Sequence, residues 1–166
     1  MTPGRPALPG ADKLARVLPP ERKPMSSIFT KIIDGEIPGR FVWKDDEVVA
    51  FLSIGPLAEG HTLVVPREEV DRWTDASPEL FAKVAAVAQI IGKAQVEAFD
   101  AERAGVIIAG FEVHHLHLHV WPSNSEAEFD FKRAQHNPDP AVMDAAAEKL
   151  RAALRAAGHG DSVPEA

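Results

Sequence analysis

At 166 residues, 45% hydrophobic and 26% charged, the chain has the size and composition of a single domain with its own core. It contains no cysteine, which excludes disulfides and cysteine-held zinc. Its net charge of −7 argues against a binder of extended nucleic acid, because phosphate neutralisation needs a basic face, but leaves room for one nucleotide in a dedicated pocket. No stretch approaches the roughly 20 apolar residues of a membrane span, and none reads as an export signal. A cytoplasmic protein without a membrane partner is expected.

Residues 1–25 are rich in proline, glycine and basic side chains and read as a flexible arm that cannot bury enough surface to offset its ordering entropy. One domain is expected over 26–158, with a tail at 159–166. Ser27 caps a predicted short helix over 28–33 that Gly35 ends. Two strands, about 41–44 and 47–54, surround an Asp45-Asp46 turn, and a third covers 61–66. Ser77, Pro78 and Glu79 start a long helix running to about Phe99, whose apolar residues recur at three and four positions. Strands are predicted at 105–110 and 113–120. A last helix opens at Asp139 and Pro140, covers 140–157 and stops at Gly158. Strands close in sequence with only one long helix between them favour an α+β fold, built on an antiparallel five-stranded sheet, over alternating βα units.

Four of the seven histidines fall in FEVHHLHLHVWP, residues 111–122. On an extended strand His115, His117 and His119 share one face, spaced by roughly 6.7 Å and spanning about 13 Å, while Leu116, Leu118 and Val120 take the other. His114 has the opposite phase and is given no catalytic role. Three readings compete for the row: satisfied structural residues; a metal site, which would need further ligands such as His61 or Glu112; and chemistry on phosphorus. The last is preferred. Imidazole is a nucleophile near neutral pH, and neighbours titrating near the ordinary value of about 6.5 supply a protonated partner for developing charge.

The stretch His115-Leu116-His117-Leu118-His119-Val120-Trp121 resembles the signature of the histidine triad family. The segment SIFTKIIDGEIPGRFVWKDDEVVAFLSIGPLAEGHTLVVPREEV, 27–70, resembles that family's N-terminal half, so the likeness covers roughly 26–122. It implies a nucleotide hydrolase on a HIT-like antiparallel sheet, usually a homodimer, acting on a purine nucleotide or nucleotide conjugate without cofactor or metal. The implied nucleophile is His117, which attacks the α-phosphorus and forms a nucleotidyl-histidine. His115 and His119 would orient it and contact phosphate, with His61 the fourth histidine. The nucleotide site would draw on Phe29, Ile32, Phe51, Ser53, Ile54, Gly110 and Glu112. A histidine rather than glutamine at 119 points to hydrolases such as phosphoramidases or dinucleoside polyphosphate hydrolases rather than transferases. A nucleotide-binding regulator with little turnover and a metal-binding β protein remain the alternatives.

The chain departs from the family pattern at three places. Ser53 stands where an aspartate commonly grips the ribose. Glu112 stands where a serine contacts phosphate, and a carboxylate 4 Å from a phosphate charge would cost roughly 4 kcal/mol at an effective dielectric of 20. Glu112 is therefore expected to point away, bind a triad imidazole or mark different chemistry. Ser27 and Thr30 occupy the places of a C-x-x-C zinc pair, so a structural zinc is not expected.

Overall fold

A computed structural model describes residues 25–166, so the arm expected over 1–25 lies outside the described residues except for Met25. Helix α1, Ile28–Ile33, starts at Ser27, whose side chain accepts from the Thr30 amide, and the chain leaves it through Gly35 at φ +80. Strands β1 (Phe41–Lys44) and β2 (Val48–Leu52) are joined by a turn in which the Asp45 carboxylate accepts from the amides of Glu47 and Val48. Then come β3 (Thr62–Pro66), α2 (Pro78–Ala98) behind its Ser77 cap, β4 (Arg103–Ile107), β5 (Leu118–Ser123) and α3 (Pro140–Ala156) behind Asp139.

The strands form one antiparallel sheet in the order β1-β2-β3-β5-β4, so the expected α+β architecture is the one observed. Strand alternation sorts the side chains onto two faces. Val48, Ala50 and Leu52 of β2, Val64 of β3, and Leu118 and Val120 of β5 join the main core with Ile91 of α2 and Leu150 and Leu154 of α3. Each large apolar side chain fully buried here contributes roughly 1.5–3 kcal/mol. Val49 and Phe51 of β2 and Leu63 and Val65 of β3 face the other way and pack with Phe29 of α1 in a second, smaller cluster. Gln95 fastens α2 to this frame, its amide donating to the carbonyls of Gly60 and Val120.

Two strands depart most from those read in the sequence, while β2, expected over 47–54, is merely shorter. The strand expected at 105–110 runs from Arg103 to Ile107, because Gly110 at φ +79 turns the chain out of the sheet. The strand expected at 113–120 runs from Leu118 to Ser123. In the β3–β5 register, Thr62 opposes Val120 and Val64 opposes Leu118, which would bring Leu116 opposite Pro66. Proline has no amide to give the ladder, and the Leu116 amide bonds the Val70 carbonyl instead. At the other end β5 passes Pro122 where its remaining partner is β4, a position that tolerates proline. Residues 159–166 contain a turn of 3-10 helix, Gly160–Ser162, and Val163 packs into the main core.

Candidate functional site

Only His119 of the three alternating histidines lies on a strand; His115 and His117 occupy the bent segment before β5. Their rings nevertheless form a continuous row on the α1 side of the sheet. Phe29 lies 4.9 Å from His117, His117 4.9 Å from His119, and His119 5.2 Å from His61, centroid to centroid. The bend is held by the end of β3, whose Pro66 carbonyl takes the His115 ring, and by the connection that follows, whose Val70 carbonyl takes the Leu116 amide. Leu116 and Leu118 anchor the segment from the core side.

Hydrogen bonding fixes where each proton sits. A carbonyl only accepts, so His115 donates from Nε2 to Pro66 at 2.8 Å, and its Nδ1 accepts from the Ser27 hydroxyl at 2.6 Å. Both ring nitrogens of His115 are thus engaged by the protein. His117 donates from Nδ1 to the His115 carbonyl at 2.6 Å, which leaves the Nε2 lone pair of the neutral ring free. The Leu57 amide donates to Nδ1 of His61 at 2.9 Å, so His61 carries its proton on Nε2 and donates it to Nδ1 of His119 at 3.1 Å. Neutral His119 therefore carries its own proton on Nε2. The row presents one bare nitrogen, on His117, next to one N–H, on His119.

Burial holds all four imidazoles below their ordinary value. It pushes His61 down to about 3 and His119 to about 4, with the neighbouring rings adding to the effect. His115 and His117 move the same way, again through burial, partly opposed by the Pro66 and His115 carbonyls that accept from them. The expectation of neighbours titrating near 6.5 is corrected accordingly: the protein alone favours neutral rings, and an imidazolium here needs an anion beside it. The unfolded chain binds protons to these histidines below about 6.5 while the folded chain resists them, so stability is full above that pH and falls as pH drops toward 4. His61 alone should account for a loss of about 2 kcal/mol by pH 5, and half-buried His119 for less. Urea unfolding at pH 7 and pH 5 measures the loss, which His61→Asn should shrink; an unchanged slope in that variant would contradict the assignment.

The aromatic residues expected at the base pocket come together. Phe29 sits edge-on to Phe51 at 5.6 Å, both are buried, and Ile32 packs against the same cluster. Ser53 is buried just past β2, its hydroxyl accepting from the Gly55 amide and its own amide bonded to the His61 carbonyl. Ile54 stands apart from this group, 82% exposed. Gly110 marks the left-handed turn before the histidine segment, and Glu112 is exposed with no hydrogen bond to a triad ring among the described residues. His114 lies 3.4 Å from Asp71 at the surface, outside the row. No group of three or more His, Cys, Asp or Glu side chains is placed to hold a metal ion among the described residues.

Two features of the site are not apparent in the sequence. Glu69 accepts from the Thr30 hydroxyl at 2.6 Å and from the Ser27 amide at 3.2 Å. Phe131, on a 3-10 turn after β5, places its ring 4.8 Å from His119, and the Gln135 amide ties that segment to the Pro56 carbonyl beside the His61 loop. Neither has a sequence signal, since both depend on segments meeting from far along the chain.

Comparison with known proteins gives a consistent picture. The family model described as the HIT domain matches residues 34–126. An uncharacterized HIT-like protein of Methanocaldococcus jannaschii is 35% identical over 99 residues, which span 57% of this chain and 77% of the relative. The crystal structure of a zinc-bound histidine triad family protein from Mycobacterium smegmatis is 32% identical, with a TM-score of 0.71 over 82% of this chain and 98% of that one. A HIT family hydrolase from Legionella pneumophila is 30% identical, with a TM-score of 0.53 over 60% of this chain and 95% of its own.

Proposed function

The chain belongs to the HIT family, and from that membership we propose that it is a nucleotide-binding hydrolase cleaving nucleoside phosphoramidates or related conjugates at the α-phosphorus. The observation that carries the proposal is the His117 ring, whose Nδ1 proton is committed to the His115 carbonyl at 2.6 Å while Nε2 keeps its lone pair. The base of a purine nucleotide stacks against the Phe29 and Phe51 cluster, with Ser53 at the sugar, which puts the α-phosphate beside the imidazoles. The His117 Nε2 lone pair forms the bond to phosphorus and the bond to the leaving amine breaks. The anionic phosphate favours an extra proton on the row, so in the complex His119 takes one at Nδ1, giving up the His61 hydrogen bond, and delivers the Nε2 proton to the departing nitrogen. Water then attacks the nucleotidyl-histidine, passes a proton to His119 and releases the monophosphate. His115 orients His117 through its backbone carbonyl, and before substrate binds His61 keeps the proton of neutral His119 on the side facing substrate. No metal or cofactor enters this scheme.

Release of monophosphate from a panel of purified nucleotide conjugates tests the reading. Turnover of at least one phosphoramidate or dinucleotide is expected, and binding without turnover across the panel would contradict it. A cytoplasmic location is part of the proposal; no helix among the described residues is long and apolar enough to cross a membrane.

We further propose a homodimer. Strand β4 is a sheet edge with unpaired backbone groups, and beside it lies a groove of about 650 Å3 lined by Phe81, Ala85, Val96, Ala104, Val106 and Ile108. A second copy related by a two-fold axis covers both edges at once. Val106, 49% exposed, lies on that edge, so Val106→Asp should leave a monomer where the unaltered protein sediments as a dimer. A monomeric unaltered protein at tens of micromolar would overturn this.

A further inference from the structure

We propose that Glu69 is a positioning residue for His117, acting through Ser27, Thr30 and His115; the inference rests on the reading of His117 as nucleophile. The Glu69 carboxylate accepts from the Thr30 hydroxyl at 2.6 Å and, with its two oxygens, from the Ser27 amide at 3.2 and 3.3 Å. These bonds hold both ends of the first turn of α1. Ser27 Oγ already accepts the Thr30 amide at 3.0 Å, which leaves its proton to donate to Nδ1 of His115 at 2.6 Å. With Nε2 donating to Pro66, His115 is held in one neutral tautomer and one ring orientation. The carbonyl of that same residue receives the His117 proton. A carboxylate on an exposed connection thus helps to place, through two hydroxyls, the His115 ring and that residue's backbone, the carbonyl that orients the His117 ring.

The connection carrying Glu69 also supplies the Val70 carbonyl to the Leu116 amide, and the end of β3 just before it supplies the Pro66 carbonyl to the His115 ring. Glu69 is itself exposed, and exposed hydrogen bonds add little to stability. Its removal should therefore be felt in geometry more than in folding. A small displacement of a reacting nitrogen costs rate steeply, on the order of 10- to 100-fold. Nothing in the relay touches substrate, so ground-state binding should change little.

Glu69→Ala, Glu69→Gln and Ser27→Ala, made in the full chain, test the proposal by steady-state kinetics and by 15N NMR of the imidazoles. In the unaltered protein His115 should show a single Nε2-protonated ring. Glu69→Ala should lower kcat by on the order of tenfold or more with KM within about twofold, and Glu69→Gln, which keeps an oxygen for Thr30, should recover most of the loss. Ser27→Ala should strip the donor from His115 Nδ1 and shift that nitrogen's resonance, while the Pro66 carbonyl keeps the proton on Nε2. Unchanged kcat in Glu69→Ala, an equal loss in Glu69→Gln, or an unchanged His115 ring in Ser27→Ala would overturn it. If the unaltered protein turned over no conjugate, the hydrolase reading would fall while the NMR result still decided the relay. Should Glu69→Ala not fold, the other two variants carry the same test.

Discussion

His117→Ala should lower hydrolysis of an adenosine phosphoramidate by at least about 10^4-fold while leaving the protein folded. Loss of a nucleophile removes the bond-forming step itself, and such losses in other enzymes reach that size. None of the neighbouring rings can take over. Both nitrogens of His115 are occupied, and the free Nε2 of neutral His119 carries a proton rather than a lone pair. The fold should survive because His117 makes one hydrogen bond and borders the smaller cluster through Phe29, not the main core. Monophosphate binding should persist, since the aromatic pocket is intact. Activity in the variant within tenfold of the unaltered enzyme would remove His117 from the role given to it.

Gly60→Ala should be the most damaging single methyl added near the site. Gly60 holds φ +83, and a Cβ there would stand 2.4 Å from Phe99 Cε2 and 2.6 Å from its Cζ. The left-handed backbone costs an L-residue about 1–2 kcal/mol and the overpacking adds about 1–3, so a loss of about 2–5 kcal/mol in urea unfolding is expected. The Gly60 carbonyl receives both Gln95 and Thr62, and the next residue is His61. A shift here frees the ring that fixes the His119 proton, so turnover per folded molecule should fall as well. A stability change under about 0.5 kcal/mol would mean the loop yields where the packing says it cannot. Phe99→Leu in the same chain should return part of the lost stability by clearing the clash, leaving the backbone term in place.

The elements legible in the sequence are those with local causes. Ser27, Ser77-Pro78 and Asp139-Pro140 start helices α1, α2 and α3 where the caps foretold them, because a cap is a bond between residues three or fewer apart. Alternation correctly assigned Leu116, Leu118 and Val120 to the core. The strand ends were less accessible, since the early stop of the histidine strand depends on a proline in a different strand. In the site, the clustered imidazoles stood out by composition, and Phe29, Phe51 and His61 gather with them. Proton positions, the lowered basicity of the rings, Glu69 and Phe131 could not be read. Some arise from burial or from a partner dozens of residues away, as Ser27 and His115 are. Even the near partners, the His115 carbonyl for His117 and the Leu57 amide for His61, meet their rings only through the local bends of the folded chain.

The central claim is that His117 Nε2 forms a covalent bond to phosphorus, and acid- or denaturant-quenched mixing with a nucleoside phosphoramidate, followed by peptide mass mapping, tests it most directly. A nucleotidyl mass on the peptide carrying His117, appearing before product reaches its steady rate and missing in His117→Ala, is the expected result. Turnover that proceeds at full rate with no protein-bound nucleotide at any time, or with the label on a different histidine, would contradict it.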